Sequence, residues 1–226
     1  MKQDINSELA GLFKNDKLLT QALTHKSWVN EHKGVRESNE RLEFLGDAVL
    51  ELIVSEAVYD LFPDKPEGYL TALRASLVNT THLAQVAVKL KIANMIYLSK
   101  GEEATGGRHN KSLLADTVEA IIGALYQAEG LGACKKLIRE YLLTDIPHKV
   151  KSPLKDAKSR LQELVQNKGF KAPTYKVIKA FGPDHAKTFI VEVLINGEAV
   201  SQASGTNKAE ASQKAAKTAL LRLKAK

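Results

Sequence analysis

The sequence predicts two domains of different class, an all-α domain followed by a smaller α-β-β-β-α domain of the α+β class. Apolar residues recur at helical spacing through the first two thirds of the chain, and β-forming residues recur at strand spacing only between residues 174 and 204. The sign of the charge also changes between the two parts. We therefore predict a first domain at residues 1–147, a linker at 148–153 and a second domain at 154–226.

Helices of the first domain are predicted at residues 16–24, 39–60, 66–78, 80–90, 111–128 and 131–143. Pro63 closes the second of these helices, and Pro66 begins the third. The polar, glycine-rich stretch at residues 100–109 predicts a mobile loop. Residues 146–153 contain two prolines and show no helical or strand periodicity, so we place the linker within this stretch, at 148–153.

The second domain begins with a helix predicted at residues 154–168 and ended by Gly169. Strands are predicted at residues 174–181, 189–195 and 198–204, and a last helix at residues 207–224. Asn196-Gly197 predicts a two-residue hairpin between the last two strands. Two helices can then cover one face of a three-stranded antiparallel sheet.

The composition excludes several classes of protein. Of the 226 residues, 44% are hydrophobic and 26% are charged, which excludes general disorder and collagen-like sequence. The first residues lack the apolar run of a signal peptide and no later stretch has the length of a membrane span, so we expect a cytoplasmic protein. The one cysteine, Cys134, has no partner for a disulfide or a zinc cluster and is predicted to be a packing residue.

The net charge of +7 is divided unequally along the chain. Residues 1–150 carry a net charge of −2, and residues 151–226 carry +9. A small and strongly basic domain indicates attraction to a polyanion, while the mildly acidic domain has another task. The alternative is a basic surface that serves solubility alone.

Four acidic residues share one face of the helix predicted at residues 39–60. They are Glu40, Glu43, Asp47 and Glu51, at spacings of three, four and four residues. The opposite side carries an apolar stripe that predicts the core, formed by Leu42, Leu45, Val49, Leu52 and Ile53. A solvated acidic face is the simplest interpretation of this pattern.

Two details weaken that interpretation. The acidic side is interleaved with Phe44, Leu50 and Val54 rather than with lysines. Residues 40–60 also hold six acids against a single arginine. Carboxylates without partners on a partly apolar surface repel one another unless a cation neutralises them.

A second acidic pair, Asp116 and Glu119, lies on a helix that has no basic residue between positions 112 and 127. Small residues flank the pair, namely Ala115, Ala120 and Gly123. They allow another helix to approach closely, so the two acidic faces can converge. Carboxylate oxygens suit Mg²⁺ or Mn²⁺. A divalent-metal site and a solvated or helix-dipole role both fit the spacing alone.

Three motifs carry a family resemblance. The stretch NERLEFLGDA at residues 39–48 resembles the signature helix of ribonuclease III. LLADTVEAIIGA at residues 113–124 is similar to the second metal-binding helix of that family, and ALTHKS at residues 22–27 is similar to its N-terminal segment. The predicted α-β-β-β-α module resembles a double-stranded-RNA-binding domain. The resemblance covers almost the whole chain, in the domain order of the compact bacterial enzymes.

The resemblance implies a Mg²⁺-dependent endoribonuclease, with Mn²⁺ as a substitute, that hydrolyses double-stranded RNA to 5′-phosphate and 3′-hydroxyl ends. Glu43, Asp116 and Glu119 would hold the principal ion, with Asp47 and Glu119 as the catalytic residues. A second ion would complete the centre. Glu40 and Glu67 match supporting acidic positions, although a helix-dipole role fits Glu67 equally well.

The resemblance also implies a homodimer, with neither a membrane nor a small-molecule cofactor as partner. The residues implied to contact RNA are His25, Lys111, Ser159, Gln162, Glu163, Gln166, His185, Asn207, Lys208 and Lys214. For His25 and Lys111 an ordinary surface role is the alternative. Ala209 departs from the family, because the last helix of such domains commonly begins with two adjacent basic residues.

We therefore expect an endoribonuclease that processes ribosomal-RNA precursors and structured messengers. The alternative is a non-catalytic scaffold that binds double-stranded RNA, but a scaffold has no need of four convergent acids. A metal-dependent phosphohydrolase acting on nucleotides would leave the basic second domain unexplained.

Overall fold

A computed structural model describes residues 9, 11–14, 16–151, 154, 156–183 and 186–224. The chain divides into two units, Met1–Leu154 and Lys155–Lys226. The described part of the first unit is helical, and the second unit has one helix before and one after a three-stranded sheet in chain order, which confirms the predicted fold class. Within the described residues, no helix is both long and apolar enough to cross a membrane.

The α-helices of the first unit are α1 (Asp16–Ala22), α2 (Lys26–Glu31), α3 (Glu40–Leu61), α4 (Glu67–Val78), α5 (Thr80–Lys89), α6 (Lys100–Ala104), α7 (Lys111–Glu129), α8 (Leu131–Tyr141) and α9 (Ile146–Val150). Helix α7 is the centre of the unit, since it packs against α1, α3, α5 and α8. Almost every residue from Leu113 to Leu125 is buried, as expected for a helix that is apolar on nearly all sides. The acids Asp116 and Glu119 therefore emerge from a rigid, central element.

Two segments differ from the sequence predictions. The prediction of a mobile loop at residues 100–109 is wrong, because this stretch forms α6 and a 3₁₀ turn at Gly107–His109. Arg108 holds it: its Nε lies 2.7 Å from Glu103 Oε1, and its Nη1 donates to the carbonyls of Ala93 and Ile96. A long-range bond of this kind leaves no periodic signal in the sequence.

The predicted linker also contains helical residues. Helix α9 covers residues 146–150, with Pro147 in its first turn, where a missing N–H breaks no helical hydrogen bond. Leu154 packs against the core of the first unit. Ser152 and Pro153 lie outside the described residues. The domain boundaries stay predictions.

The apolar residues of α3 are arranged differently from the prediction. Leu50 and Val54, predicted on the acidic side, are fully buried in the core. Leu52, predicted in the core stripe, has 58% of its surface exposed, and Phe44 has 82% exposed. Helix α3 contacts both α7 and α4, so neighbouring helices bury it on two sides. A single apolar stripe along the helix therefore does not predict which of its residues are buried.

Helices α3 and α7 cross at two glycines. A Cβ atom placed at Gly46 would overlap the carbonyl oxygen of Glu119, and one placed at Gly123 would overlap the carbonyl oxygen of Leu42. Only glycine permits the two backbones to come this close. The crossing lies beside Glu43 on one helix and at Glu119 on the other, so it determines where the acidic side chains meet.

The second unit contains α10 (Ala157–Asn167), β1 (Thr174–Phe181), β2 (Thr188–Ile195), β3 (Glu198–Gly205) and α11 (Lys208–Lys224). The strands form an antiparallel sheet in the order β1-β2-β3. The predicted hairpin is confirmed, with φ of 52° at Asn196 and 87° at Gly197. Leu161, Val193, Ala215, Ala216 and Ala219 are fully buried and form the core between the helices and the sheet.

Replacing one crossing glycine tests this packing. Gly123→Ala is expected to lower the free energy of unfolding by about 1–3 kcal/mol, because the added methyl group meets the backbone of α3. Gly132→Ala in α8 is the matched control. Nothing lies within 4 Å of a Cβ there, so this change should stabilise the protein by roughly 0.5–1 kcal/mol. Urea unfolding measures both. Equal effects of the two substitutions would contradict the close crossing.

Candidate metal centre

Three carboxylates from α3 and α7 meet at the crossing. Glu43, Asp116 and Glu119 each present one oxygen, and these three oxygens all lie within 4.8 Å of one another. All three side chains are half-buried. The two acidic faces thus converge, as the small residues beside Asp116 and Glu119 predict.

Simultaneous ionisation of the three carboxyl groups is unfavourable in this cluster. Burial, followed by the charges of Asp47, Asp116 and Glu43, raises the pKa of Glu119 to about 8. Burial and then the charge of Asp116 raise the pKa of Glu43. Burial also raises the pKa of Asp116. Without a counter-charge, at least part of the cluster therefore holds a proton near neutral pH.

This arrangement fits a hard divalent cation. Its donors are carboxylate oxygens alone, the ligand type of Mg²⁺ and Mn²⁺, and it contains neither sulfur nor imidazole. A cation would offset both the burial of these charges and the mutual repulsion that raise the pKa values of Glu119 and Glu43.

The remaining acids occupy different positions. Asp47 is exposed, and it is close enough to Glu119 for its charge to raise that residue's pKa. Glu40 accepts a hydrogen bond from the Ser38 hydroxyl and pairs with Lys26 at 3.3 Å, and these contacts lower its pKa. Glu40 thus borders the cluster and is already neutralised.

Glu51, predicted on the acidic face of α3, and Glu67, predicted as a supporting acid, are not members of the three-carboxylate group. Glu51 pairs with Arg74 at 3.0 Å. Glu67 lies in the first turn of α4, where its carboxylate accepts a hydrogen bond from the Thr71 hydroxyl at 2.8 Å. The local bond and the position at a helix N-terminus favour the dipole role for Glu67 within one chain.

Basic groups face the cluster from α2 and its N-cap. His25 caps α2 by accepting a hydrogen bond from the Ser27 amide, and burial lowers the pKa of its ring. The charges of His25 and Lys26 act on Asp116 to lower its pKa, against the larger effect of burial. Lys111 is exposed at the start of α7, which Asn110 caps. His25 and Lys26 therefore border the acidic centre with groups suited to phosphate.

In the second unit, α10 presents Gln162, Glu163 and Gln166 on its exposed surface. Ser159 is half-buried, and its hydroxyl donates to Asp156, the N-cap of α10, at 3.0 Å. His185 lies outside the described residues.

The start of α11 is also engaged within the chain. Asn207 accepts a hydrogen bond from the Glu210 amide at 2.8 Å, as a helix cap does. Lys214 pairs with Glu210 at 2.7 Å, and Lys208 and Ala209 are exposed. Local capping thus explains Asn207 without RNA.

Comparisons with known proteins agree in both units. A family model described as Ribonuclease-III-like matches residues 15–146, and one described as Double-stranded RNA binding motif matches residues 157–223. Ribonuclease 3 of Natranaerobius thermophilus is 47% identical over 216 residues, which are 96% of this chain and 94% of that protein. Ribonuclease 3 of Enterococcus faecalis is 48% identical over 92% of this chain and 91% of that protein.

Among solved structures, the nuclease domain of ribonuclease III from Campylobacter jejuni is similar to this chain, and the alignment covers 64% of this chain and 99% of that one. It has a TM-score of 0.58 and 39% identity. That structure is described as showing flexibility in a region involved in dimer formation.

The raised pKa of Glu119 predicts that stability depends on pH in metal-free protein. Between pH 4.5, the ordinary pKa, and about 8, the unfolded chain loses the Glu119 proton before the folded chain does. The free energy of unfolding therefore falls as pH rises through this window. Glu119→Gln cannot ionise, so it is expected to raise the melting temperature by roughly 3–6 °C at about pH 9 and by little at about pH 4.

Calorimetry in the presence of a chelator measures the effect, with Glu140→Gln at an exposed position of α8 as the control. A Glu119→Gln shift of the same size at both pH values would contradict the burial of this charge.

Proposed function

The chain belongs to the ribonuclease III family, and from this premise we infer that it is an endoribonuclease that cleaves double-stranded RNA. Family models match both units, and relatives named Ribonuclease 3 align over nearly the full chain. The observation that supports catalysis best is the convergence of Glu43, Asp116 and Glu119 at one point. A scaffold that only bound RNA would gain nothing from half-buried carboxylates that repel one another.

We propose Mg²⁺ as the metal, with Mn²⁺ able to replace it, and Glu43, Asp116 and Glu119 as the residues that would hold it. Such an ion, when bound, supplies Lewis-acid polarisation of the scissile phosphate and activation of the attacking water. We assign to Asp47 the orientation of that water, because its exposed carboxylate stands beside Glu119. Attack at phosphorus with departure of the 3′ oxygen would leave 5′-phosphate and 3′-hydroxyl ends.

The second unit would hold the duplex. Its net charge, +8 over residues 155–226, supports attraction to phosphates, and recognition of A-form shape is the mode of such modules. We propose Gln162, Glu163 and Gln166 on α10 for one minor groove. Lys208 and Lys214 on α11 would meet phosphates, although Lys214 must first leave Glu210.

We also propose that two copies pair through α3. Phe44, Leu52 and Tyr59 are exposed on this helix by 82%, 58% and 71%. Exposed apolar side chains on one helix are typical of an interface. Two antiparallel RNA strands require two centres related by a two-fold axis, which a dimer supplies.

Ribosomal-RNA precursors, structured messengers and a cytoplasmic location are part of this proposal. They are supported by the resemblance to the compact bacterial enzymes and not by any contact in the structure.

Removing one carboxylate tests catalysis separately from binding. Glu119→Gln and Asp116→Asn are each expected to lower the rate of duplex cleavage in Mg²⁺ by about 1,000-fold or more, because the ion loses a charged ligand. The dissociation constant for the duplex in Ca²⁺ should change by less than roughly threefold, since phosphate contacts dominate binding. Glu140→Gln is the control and should cleave like the wild type. Variants that cleave at near wild-type rates would refute the assignment.

A charge on the exposed side of α3 tests the dimer. Phe44→Lys should shift the protein from dimer to monomer at micromolar concentration, because the lysine would have to be buried without a partner. Val88→Lys is the matched control, since Val88 on α5 is 66% exposed and outside the proposed interface. Light scattering after size-exclusion chromatography gives the mass. A dimeric Phe44→Lys or a monomeric wild type would contradict the interface.

A further inference from the structure

The guanidinium of Arg36 lies against two aromatic rings. Its Cζ atom is 4.5 Å from the ring centroid of Trp28 and 4.5 Å from that of Tyr97. The two rings meet edge to face at 5.9 Å, and His32 stacks on Trp28 at 4.0 Å. Nη1 of Arg36 is buried and has no hydrogen-bond partner among the described residues. The contacts that hold the guanidinium are thus those with the two ring faces.

We call Arg36, Trp28 and Tyr97 the Arg36 clamp, and its arginine lies in the segment between α2 and α3. Arg36 stands three residues before Asn39, the N-cap of α3, and Asn39 is buried. The Asn39 amide donates to the carbonyl of Thr24 at 2.9 Å, and the Glu43 amide donates to the carbonyl of Asn39 at 2.9 Å. The first turn of α3, which carries Glu40 and Glu43, is thereby attached to the backbone at Thr24.

The Tyr97 side of the clamp reaches the same backbone. The Tyr97 amide donates to the carbonyl of Leu23 at 2.8 Å, and the His25 amide donates to the carbonyl of Tyr97 at 3.1 Å. Thr24 and Tyr97 form an isolated parallel bridge. The backbone of residues 23–25 is therefore hydrogen-bonded to both Tyr97 and Asn39. The Arg36 side chain links the segment before Asn39 to the Tyr97 ring.

The backbone fixed by these contacts carries residues at the metal centre. Lys26 pairs with Glu40 at 3.3 Å, and Glu43 lies in the same first turn of α3 as Glu40. Neither Trp28 nor Arg36 touches the carboxylates, so the clamp can act only by fixing the backbone that carries Lys26, Glu40 and Glu43.

We propose that Arg36 is a positioning residue for the metal centre. It stacks its planar cation on Trp28 and Tyr97 and so holds the start of α3 in the geometry that binds the ion. This inference rests on the proposed function. A lysine would keep the charge and lose the flat contact with two rings, so the clamp discriminates arginine from lysine.

The test is Mn²⁺ binding to the full-length, RNA-free protein by calorimetry, together with fluorescence of Trp28, the one tryptophan in the chain. Arg36→Met keeps most of the apolar stem and removes the charged plane. It is expected to weaken Mn²⁺ binding by about three- to tenfold and to shift the Trp28 emission, with Arg36→Lys in between. Arg139→Met, at an exposed position of α8, is the control and should match the wild type in both readouts.

Altered Trp28 emission with unchanged Mn²⁺ affinity in Arg36→Met would overturn the proposal, because the clamp would then have only a local structural role. If Arg36→Met is unfolded at the assay temperature, Arg36→Lys decides, and unchanged Mn²⁺ affinity in that variant overturns the proposal too. A wild type that binds Mn²⁺ and cleaves no duplex would instead refute the proposed function and leave the comparison of variants standing. A wild type that binds no Mn²⁺ would overturn both.

Discussion

The backbone contact between α3 and α7 is the constraint on which the site depends. Gly46 and Gly123 remove the two side chains that would separate these helices, although a glycine inside a helix costs about 0.5–1 kcal/mol relative to alanine. The close approach puts Glu43 within reach of Asp116 and Glu119. Packing of α7 on nearly all sides then fixes the acids that it carries. A site made from two rigid helices holds its geometry better than one made from loops.

That geometry brings like charges together, and groups in both units offset the effects of this negative charge. Burial and mutual repulsion raise the pKa of Glu119 to about 8, so the metal-free centre is strained and attracts a cation. The same negative charge repels an RNA backbone. Lys26 beside Glu40 offsets part of this repulsion locally, and the +9 of residues 151–226 provides long-range attraction to a polyanion. A cation at the centre would offset the carboxylate charge, and the basic residues of the second unit attract the RNA that this charge repels.

Much of this was predictable from the sequence, and the failures have identifiable causes. Helical spacing located the long helices, and small residues beside Asp116 and Glu119 predicted that a second helix would approach them. The order of residues 100–109 was missed because Arg108 stabilises this stretch through distant carbonyls. Leu50 and Leu52 were assigned to the wrong sides because α3 packs against more than one neighbour. Arg36 gave no signal, since its partners Trp28 and Tyr97 are adjacent only in the folded chain.

The central claim is that the crossing of α3 and α7 forms one divalent-cation site, and anomalous diffraction tests it most directly. Crystals of the full chain grown with Mn²⁺ and without RNA would locate the ion without reference to activity. We expect an anomalous peak about 2 Å from carboxylate oxygens of Glu43, Asp116 and Glu119, and a weaker or absent peak in Glu119→Gln crystals. A strong peak elsewhere with none at the crossing would contradict the account.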